Sequence, residues 1–288
     1  MWSGYNGGIA QGWMHPAPEF WRANVESALQ EDIGSGDISS AALSTDHQGE
    51  WFIEAQAEGV LCGVGLAFDV MSRAGEVMVH MKDGDRVKPG DIVLTGKGSA
   101  ARILTFERTA LNFLMLLGGT ATLTSKFVEA VKGTKASITD TRKTIPGLRS
   151  LQKYAVRCGG GRSHRMGLYD AVMIKDNHIR LAGSITSAVN AARLVNGHLV
   201  KIEVECENIN QVEEAIDAKA DVILLDNMTV DQMVKCVELV NGRAVLEASG
   251  GINLETVRGI AATGVDVISV GALTHSAKAL SLHMEIKV

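Results

Sequence analysis

The sequence predicts an α/β fold whose C-terminal half is an incomplete barrel of parallel strands. Six short apolar runs in that half each end on a polar residue or a glycine, and stretches with helical character separate them. This alternation of strand and helix is typical of a parallel sheet. A complete barrel of this class has eight strands, so six runs favour an incomplete or irregular one. The runs cover residues 136–139, 171–174, 202–204, 222–225, 244–248 and 267–270.

The N-terminal part has a different pattern, which predicts helices beside antiparallel strands. Residues 1–16 are rich in glycine and tryptophan, show no periodicity and are predicted to be loosely ordered. An amphipathic helix is predicted over 18–30, with its apolar residues facing inwards. Strands are predicted within 51–65 and 77–96, and a helix near 66–74 joins them.

Glycines mark the predicted boundaries of the remaining N-terminal elements. Residues 31–37 (EDIGSGD) are predicted to form a turn after the first helix. A strongly helical stretch covers 102–117, and Gly118 and Gly119 are expected to break it. A second helix is predicted to follow over 121–131.

Composition limits the classes of function that the chain can serve. Its 288 residues carry a net charge of −5, with 46% hydrophobic and 21% charged residues, as in an ordinary globular protein. The longest apolar stretch, 111–117, is far too short to span a bilayer, and the N-terminus has no pattern of a secretory signal. The four cysteines lie far apart without metal or redox spacing, which favours reduced thiols and a cytoplasmic location. No membrane partner is expected.

Positive charge is concentrated in one segment of this acidic chain. Residues 139–180 carry a formal charge of +6, which leaves −11 for the rest. A local basic patch favours a small polyanion as the ligand, because nucleic acid needs a broader basic face. Arg149, Lys153 and Arg157 are spaced four residues apart, so a solvated helix face is the simpler interpretation for these three.

Charged residues follow the predicted strands, where parallel sheets bind their ligands. Thr141, Arg142 and Lys143 follow the first strand. A guanidinium group binds carboxylate or phosphate through two hydrogen bonds, and a lysine adds a point charge. A glycine-rich loop then places His164 beside Arg165, which offers further donors to an anion. Ordinary surface charge in a loop is the competing interpretation of the first segment.

Later strands end on groups that suit a phosphorylated ligand. Glu205 and Asp226 end neighbouring strands, and paired carboxylates there can bind Mg²⁺, often through water, or sugar hydroxyls. The backbone of the turns 249–251 and 270–272 is suited to phosphate. Lys175 is the candidate for covalent chemistry, because a strand-end lysine can form a Schiff base. Together these residues predict a phosphate-bearing substrate, with Mg²⁺, beside a cation pocket for carboxylates, but they do not define the reaction.

Ten segments occur in the order found in one known family. The segments are EDIGSGD at 31–37, TRKTIPG at 141–147, KYAV at 153–156, GGG at 159–161, HRMGLYD at 164–170, KDNHI at 175–179, EVE at 203–205, LDN at 225–227, SGG at 249–251 and VGALTH at 270–275. With these segments the sequence resembles quinolinate phosphoribosyltransferase (nicotinate-nucleotide pyrophosphorylase, carboxylating), a type II phosphoribosyltransferase family. The resemblance covers roughly residues 20–285. Its departures are small: Ile145 stands where the family often has threonine, and Arg162 and Ser163 precede His164.

The resemblance implies a two-domain fold and a homodimer. One domain is an N-terminal α/β sandwich over 1–118, which the end of the chain, 277–288, rejoins. The other is an open, incomplete α/β barrel of fewer than eight strands over 119–276. In the implied homodimer, Arg108 reaches the active site of the neighbouring subunit, although its sequence context alone indicates only a solvent-facing helix residue.

The resemblance also implies a reaction and a role for each matching residue. Quinolinate and phosphoribosyl pyrophosphate would give nicotinate mononucleotide, pyrophosphate and CO₂ in NAD biosynthesis, with Mg²⁺ held by Glu205 and Asp226. The catalytic residues would be Lys143, Lys175, Glu205 and Asp226. The quinolinate-binding residues would be Arg108, Thr141, Arg142, His164, Arg165 and Lys175. The residues that bind phosphoribosyl pyrophosphate would be Lys143, Glu205, Asp226, Ser249, Gly250, Gly251, Val270, Gly271, Ala272 and His275.

Three alternatives stay open at this point. A related enzyme acting on nicotinate or another ring acid would share the fold and the phosphate site but need fewer cations. A Schiff-base aldolase would use Lys175 covalently. The hairpin around Lys82 resembles that of biotin- and lipoyl-carrier domains, although Asp83 and Gly84 after this lysine favour a plain tight turn.

Overall fold

The N-terminal half folds into an antiparallel sheet packed against helices. A computed structural model describes residues 18–42 and 47–287, so the predicted loose order of residues 1–16 lies outside the described residues. The helices and strands of this half are α1 (Arg22–Ile33), β1 (Gln48–Ala55), β2 (Gly59–Val60), α2 (Val64–Met71), β3 (Gly75–Val79), β4 (Arg86–Val87), β5 (Ile92–Ser99) and α3 (Ala100–Ala130), with short 3-10 helices at Pro18–Phe20 and Ser40–Ala42.

The main N-terminal sheet has four antiparallel strands. Their order is the last strand of the chain (Leu282–Lys287), then β1, β5 and β3. Strands β2 and β4 form a separate antiparallel pair. Alternate residues of β1, namely Trp51, Ile53 and Ala55, are buried in the core that this sheet shares with α2 and α3. The predicted antiparallel strands and their connecting helix are therefore confirmed.

Helix α1 is longer than the periodicity predicts. It buries Val25 and Leu29, as an inward apolar face requires, but continues to Ile33. The first three residues of the predicted turn at 31–37 are thus helical. The helix ends at Gly34, whose φ of +53° interrupts the helical backbone.

The prediction of two helices around Gly118 and Gly119 is wrong, because α3 runs through both glycines without a break for 31 residues. The glycines instead allow another segment to approach. A β-carbon on Gly119 would lie 2.3 Å from the carbonyl oxygen of Lys278, and one on Gly118 would lie 3.0 Å from the side chain of Leu280. In the described parts of the chain, no helix, α3 included, has the length and apolar character needed to cross a bilayer.

The C-terminal half forms the predicted parallel sheet. Six strands lie in the order β6 (Ser137–Thr139), β11 (Val267–Ser269), β10 (Val245–Ser249), β9 (Val222–Asp226), β8 (Ile202–Cys206) and β7 (Val172–Ile174), and the sheet does not close into a barrel. At its β6 edge, Thr139 makes one further parallel bridge with Arg162. The open, incomplete barrel of fewer than eight strands is therefore confirmed. The elements are β6 (Ser137–Thr139), α4 (Arg149–Cys158), β7 (Val172–Ile174), α5 (Asp176–Ala182), α6 (Ile185–Val195), β8 (Ile202–Cys206), α7 (Ile209–Asp217), β9 (Val222–Asp226), α8 (Val230–Val240), β10 (Val245–Ser249), α9 (Val257–Ala262), β11 (Val267–Ser269), α10 (Ala272–His275) and β12 (Leu282–Lys287).

Helix α4 lies between two hydrophobic cores. Leu151, Tyr154 and Ala155 pack in the core of the N-terminal sheet, whereas Val156 packs in the core of the parallel sheet. Strand β12 returns to β1, in agreement with a chain end that rejoins the N-terminal part. Because α3 runs across position 118 and α4 belongs to both cores, the division into domains at 118/119 stays a prediction.

The turn around Lys82 is fixed against α4. The amide of Lys82 donates to the carboxylate of Asp85 at 2.9 Å, which closes the predicted turn. The carboxylate of Asp83 accepts hydrogen bonds from the amide of Val64 at 2.9 Å and from the hydroxyl of Tyr154 at 3.0 Å. A turn held in this way supports the structural interpretation, since a carrier hairpin must be free to move.

Candidate active site

A cavity of about 480 Å³ lies at the carboxyl ends of the parallel strands. Strand register brings the predicted residues together there. Asp226 at the end of β9 lies opposite Ser249 at the end of β10, and Glu205 of β8 lies opposite Leu224 of β9. Eleven predicted site residues line this cavity: Thr141, Arg142, Lys143, His164, Arg165, Lys175, Glu205, Asp226, Ser249, Gly250 and Gly251.

Four residues predicted to bind phosphoribosyl pyrophosphate lie after β11 and in α10. None of them lines the cavity: Val270, Gly271, Ala272 and His275. Gly271 adjoins the cavity, because a β-carbon there would lie 3.1 Å from Cδ of Lys143 and 3.2 Å from Nε2 of His275. Val270 is buried, and its amide donates to the carbonyl of Thr139 at 2.9 Å. Their roles toward a ligand stay predictions.

Arg108 lies on α3 and does not line this cavity. Its side chain is 61% exposed, and its one ion pair among the described residues is with the adjacent Glu107 at 3.8 Å. The site formed by this chain thus lacks Arg108. The contribution of Arg108 to a neighbouring subunit stays a prediction.

Two guanidinium groups lie beside each other at the cavity. Burial, and then the positive charge of Arg142, lower the pKa of Arg165. The Nε atom of Arg142 is buried and has no hydrogen-bond partner in the described part of the chain. Arg165 is oriented by donating to the carbonyl of Ala171 at 3.0 Å. Adjacent cations with a donor still free are suited to an anion that presents several oxygens.

Lys175 and Glu205 form an ion pair at the ends of β7 and β8. The side chain of Lys175 is 44% exposed and that of Glu205 16%, so both groups remain accessible from the cavity. A Schiff base forms from a neutral amine, whereas the amine of Lys175 is the cation of an ion pair. The arrangement therefore does not favour the aldolase alternative.

A close backbone approach shapes the turn after β10. Gly250 has a φ of +98°, and a β-carbon there would lie 2.1 Å from Oδ1 of Asn227. The amide of Asn227 donates to the carbonyl of Ser249 at 2.9 Å, and its side chain donates to Asp226 at 3.0 Å. Glycine is therefore required at this position, and the turn is held tightly against the strand end that carries Asp226.

A buried ion pair beneath the cavity overturns the prediction of a solvated face for Lys153. This side chain is 1% exposed and pairs with Asp140, which is fully buried. Oδ1 of Asp140 accepts the amide hydrogen of His164 at 2.9 Å, and Nζ of Lys153 donates to the carbonyl of His164 at 3.1 Å. One ion pair thus fixes both backbone polar groups of His164. Of the other two basic residues on this helix, Arg157 is exposed and Arg149 is half-buried.

The imidazole of His164 lies between two buried carboxylates. Its Nε2 atom is 3.3 Å from Oε2 of Glu203 and 3.4 Å from Oε1 of Glu247. Burial alone would lower the pKa of His164, but hydrogen bonding and charge from Glu203 and Glu247 outweigh it and raise that pKa to about 10. Burial raises the pKa of Glu203 in turn. The charge of a protonated His164 is thus balanced by these two carboxylates, and the imidazole is held beside Arg142 and Arg165 at the cavity.

We expect His164 to stay protonated at pH 8, where a histidine with an ordinary pKa of about 6.5 is neutral. The folded state binds this proton more tightly than the unfolded state, so the stabilisation is complete below about pH 6.5 and is lost as the pH rises toward 10. Imidazole ¹⁵N shifts, assigned through the missing signal of His164→Gln, measure this titration. A midpoint near 6.5 would contradict the proposed charge.

A prediction that considers only the last residue of each strand misses site residues that lie two positions earlier in the strand. From the sequence, Glu203 occurs only within the segment EVE at 203–205, and Glu247 belongs to no predicted site. Both lie two residues before a strand-end residue, Glu205 and Ser249, and therefore on the same face of the strand. This period of two is the signal that could have found them.

The fold and the site define a class of protein. Cations, strand-end carboxylates and a tight glycine turn converge at the carboxyl ends of an open parallel barrel. Active sites of α/β-barrel enzymes are formed at this end of the strands. The chain is thus an enzyme of the α/β-barrel class with a pocket for a small anionic substrate.

Comparison with known proteins identifies the family. Models of the N-terminal and C-terminal domains of quinolinate phosphoribosyl transferase match residues 37–117 and 120–285. The probable nicotinate-nucleotide pyrophosphorylase [carboxylating] of Bacillus subtilis (strain 168) is 44% identical, covering 89% of this chain and 90% of that protein. The nicotinate-nucleotide pyrophosphorylase of Francisella tularensis superposes with a TM-score of 0.91 at 40% identity, covering 94% and 98% of the two chains. The chain belongs to the quinolinate phosphoribosyl transferase family.

Proposed function

We propose that this enzyme transfers the phosphoribosyl group of phosphoribosyl pyrophosphate to quinolinate, giving nicotinate mononucleotide, pyrophosphate and CO₂ for NAD biosynthesis. The observation that carries this proposal is the convergence of Arg142, Arg165, His164 and Lys175 on one cavity. Quinolinate presents two neighbouring carboxylates, and a cluster of cations matches that double charge. The names of the Bacillus subtilis and Francisella tularensis relatives support the same activity.

The number of cations favours quinolinate over nicotinate, which is the second candidate substrate. Nicotinate has one carboxylate, whereas Arg142 and Arg165 are two half-buried cations that form no ion pair among the described residues. Partly buried charges without partners are costly, so a site built for one carboxylate would need fewer of them. The free Nε donor of Arg142 adds to this argument, because a second carboxylate can accept from it.

The phosphoribosyl half of the site is assigned to the turns that follow β10 and β11. The 5′-phosphate would bind at the turns that contain Gly250 and Gly271, where backbone N–H groups can donate to it. His275 would lie near this 5′-phosphate, and Lys143 would face the pyrophosphate. A β-carbon at position 271 would lie 3.1 Å from Cδ of Lys143 and 3.2 Å from Nε2 of His275, which supports placing both side chains beside this turn.

Mg²⁺ is the proposed cofactor, and the donor set suits it. Glu205 and Asp226 lie at the ends of neighbouring strands and line the same cavity. Mg²⁺ prefers oxygen ligands, keeps several waters and is often held by one or two carboxylates together with substrate phosphates. When bound, it would supply neutralising charge for the departing pyrophosphate. Lys175 already pairs with Glu205, so part of the charge of this carboxylate is balanced without metal.

Catalysis in this scheme depends on positioning and charge, without a protein nucleophile. The cations hold the ring so that its nitrogen faces the anomeric carbon of the ribose, and the new N–C bond forms as the bond to pyrophosphate breaks. Carboxylates nearby stabilise positive charge that develops on the ribose. The bond to the adjacent carboxylate then breaks, CO₂ leaves, and the positive ring nitrogen stabilises the electron pair until a proton replaces it.

A second copy of this chain is the proposed partner. Large aliphatic side chains are exposed on and after α5 and α6: Leu181 is 88% exposed, Leu194 87% and Leu199 85%. Exposed apolar groups of this size favour a protein interface. We infer that the second copy covers these side chains and contributes Arg108 to the cation cluster. Sedimentation equilibrium should therefore give twice the chain mass of 30.6 kDa; a mass of one chain at assay concentration would contradict the shared site.

The substrate assignment is tested by offering quinolinate and nicotinate in parallel with phosphoribosyl pyrophosphate and Mg²⁺. Mononucleotide formed from quinolinate alone is the expected result. A parallel reaction with a chelator should lose turnover, and added Mg²⁺ should restore it. Turnover of nicotinate alone would preserve the phosphate site but reject the substrate.

A further inference from the structure

The segment EDIGSGD at 31–37 has no role in the site described above, yet it contacts the helix that carries Arg108. Oδ2 of Asp37 accepts a hydrogen bond from the hydroxyl of Thr105 at 2.9 Å. Oδ2 of Asp32 accepts one from the hydroxyl of Thr109 at 3.2 Å. Both acceptors come from one short segment and both donors from one turn of α3.

Asp37 is itself held firmly. Its Oδ1 atom accepts the amide hydrogens of Ser39 and Ser40, each at 3.0 Å. Hydrogen bonding from the side chain and backbone of Ser40, together with that from Thr105, lowers the pKa of Asp37 to about 2. The carboxylate is therefore charged at neutral pH, and three hydrogen bonds fix its position.

The two threonines flank Arg108 on the helix. Thr105 and Thr109 are four residues apart and so share one face of α3, while Arg108 projects beside that face. Thr109 is 4% exposed, whereas the side chain of Arg108 is 61% exposed. Because the buried face of this turn is bonded to Asp32 and Asp37, these carboxylates fix the position from which Arg108 extends.

We propose that Asp32 and Asp37 are positioning residues for quinolinate binding, which act by holding the Thr105–Thr109 turn so that Arg108 reaches the partner subunit's site. This inference rests on the proposed function, in which Arg108 serves the neighbouring site. Misplacement of a binding group by about 1 Å can cost an enzyme roughly a hundredfold with its substrate, so a small displacement of this turn is sufficient to weaken quinolinate binding.

The test replaces both threonines by valine, which keeps their shape and removes only the hydroxyl donors. In the Thr105→Val/Thr109→Val enzyme we expect KM for quinolinate to rise about tenfold, because a displaced Arg108 would lose about one charge-assisted hydrogen bond to quinolinate. The kcat value and KM for phosphoribosyl pyrophosphate should change less than about twofold. The control is Glu31→Gln, which changes an exposed carboxylate of the same segment that accepts neither threonine hydrogen bond, and should leave all three constants unchanged.

Hybrid dimers then separate action across the subunit interface from action within one subunit. A valine-substituted chain is paired with a Lys175→Met chain through two affinity tags. Only the site of the valine-substituted chain is competent in this hybrid, because the other chain lacks Lys175. That site receives Arg108 from the Lys175→Met chain, whose α3 is unaltered. We expect KM for quinolinate to return to the wild-type value. A KM that stays raised would overturn the inference, because the threonines would then act on their own subunit.

A second hybrid pairs an Arg108→Ala chain with the Lys175→Met chain, and it distinguishes failure of the inference from failure of the proposed function. The site of the Arg108→Ala chain should also recover the wild-type KM for quinolinate, because the Lys175→Met chain supplies Arg108. If it does not recover, Arg108 does not act across the interface and the shared site is wrong, together with the role given to Asp32 and Asp37. If the double valine enzyme does not fold, the single Asp37→Ala variant is taken through the same two measurements with the same expected results.

Discussion

Replacing Lys153 by methionine is expected to lower the free energy of unfolding by about 3 to 5 kcal/mol. The side chain is 1% exposed and its partner Asp140 is fully buried, so the substitution leaves a carboxylate without compensation in the interior. Burial already raises the pKa of Asp140, against the opposing effect of Lys153. His164 would also lose the partner of its carbonyl, so quinolinate binding should weaken. Equilibrium urea unfolding measures the first effect and substrate titration the second.

Two controls show whether the buried pair is responsible. Arg157→Met changes an exposed cation one turn further along the same helix and should alter stability by less than about 1 kcal/mol. The double variant Asp140→Asn/Lys153→Met removes both charges and keeps an acceptor for the His164 amide, so it should be more stable than Lys153→Met alone. Equal losses in Arg157→Met and Lys153→Met would contradict the interpretation.

Replacing Lys175 by methionine is expected to lower kcat/KM for quinolinate by about 10²- to 10³-fold. The substitution removes a cation from the pocket and leaves Glu205 without its ion-pair partner. Because the side chain of Lys175 is 44% exposed, stability should change far less than activity. Steady-state kinetics and thermal unfolding on the same preparation separate the two effects.

Arg180→Met is the matched control for this variant. Arg180 is a basic residue on α5, 76% exposed, and its ion pair with Asp176 at 3.6 Å lies on the helix surface. The control should keep more than about half of the activity, as expected for an exposed ion pair. Retention of activity by Lys175→Met would remove this lysine from the site and weaken the case for a dicarboxylate substrate.

The parallel sheet and its strand-end residues could be predicted because both depend on local patterns. Short apolar runs identify the six strands, and the residue after each run necessarily lies at the carboxyl end of the sheet. For this reason the order of residues along the chain is sufficient to group Arg142, Lys175, Glu205 and Asp226, which line one cavity.

Long-range contacts account for what could not be predicted. Lys153 has the spacing of a solvated helix residue, and only its contact with Asp140, 13 residues away, explains its burial. Gly118 and Gly119 have the local features of a helix break, but tertiary contacts with the segment around Leu280 override them. The two carboxylates around His164 come from strands far from it in sequence, so their shared site is visible only in the fold.

The central claim is that quinolinate loses one carboxylate as the phosphoribosyl group is transferred. The most direct measurement uses quinolinate labelled in the carboxylate next to the ring nitrogen, with Mg²⁺ and phosphoribosyl pyrophosphate. We predict that labelled CO₂, pyrophosphate and nicotinate mononucleotide appear in a 1:1:1 ratio, at a rate that falls with Lys175→Met. Release of pyrophosphate without labelled CO₂, or faster turnover of nicotinate than of quinolinate, would contradict the account.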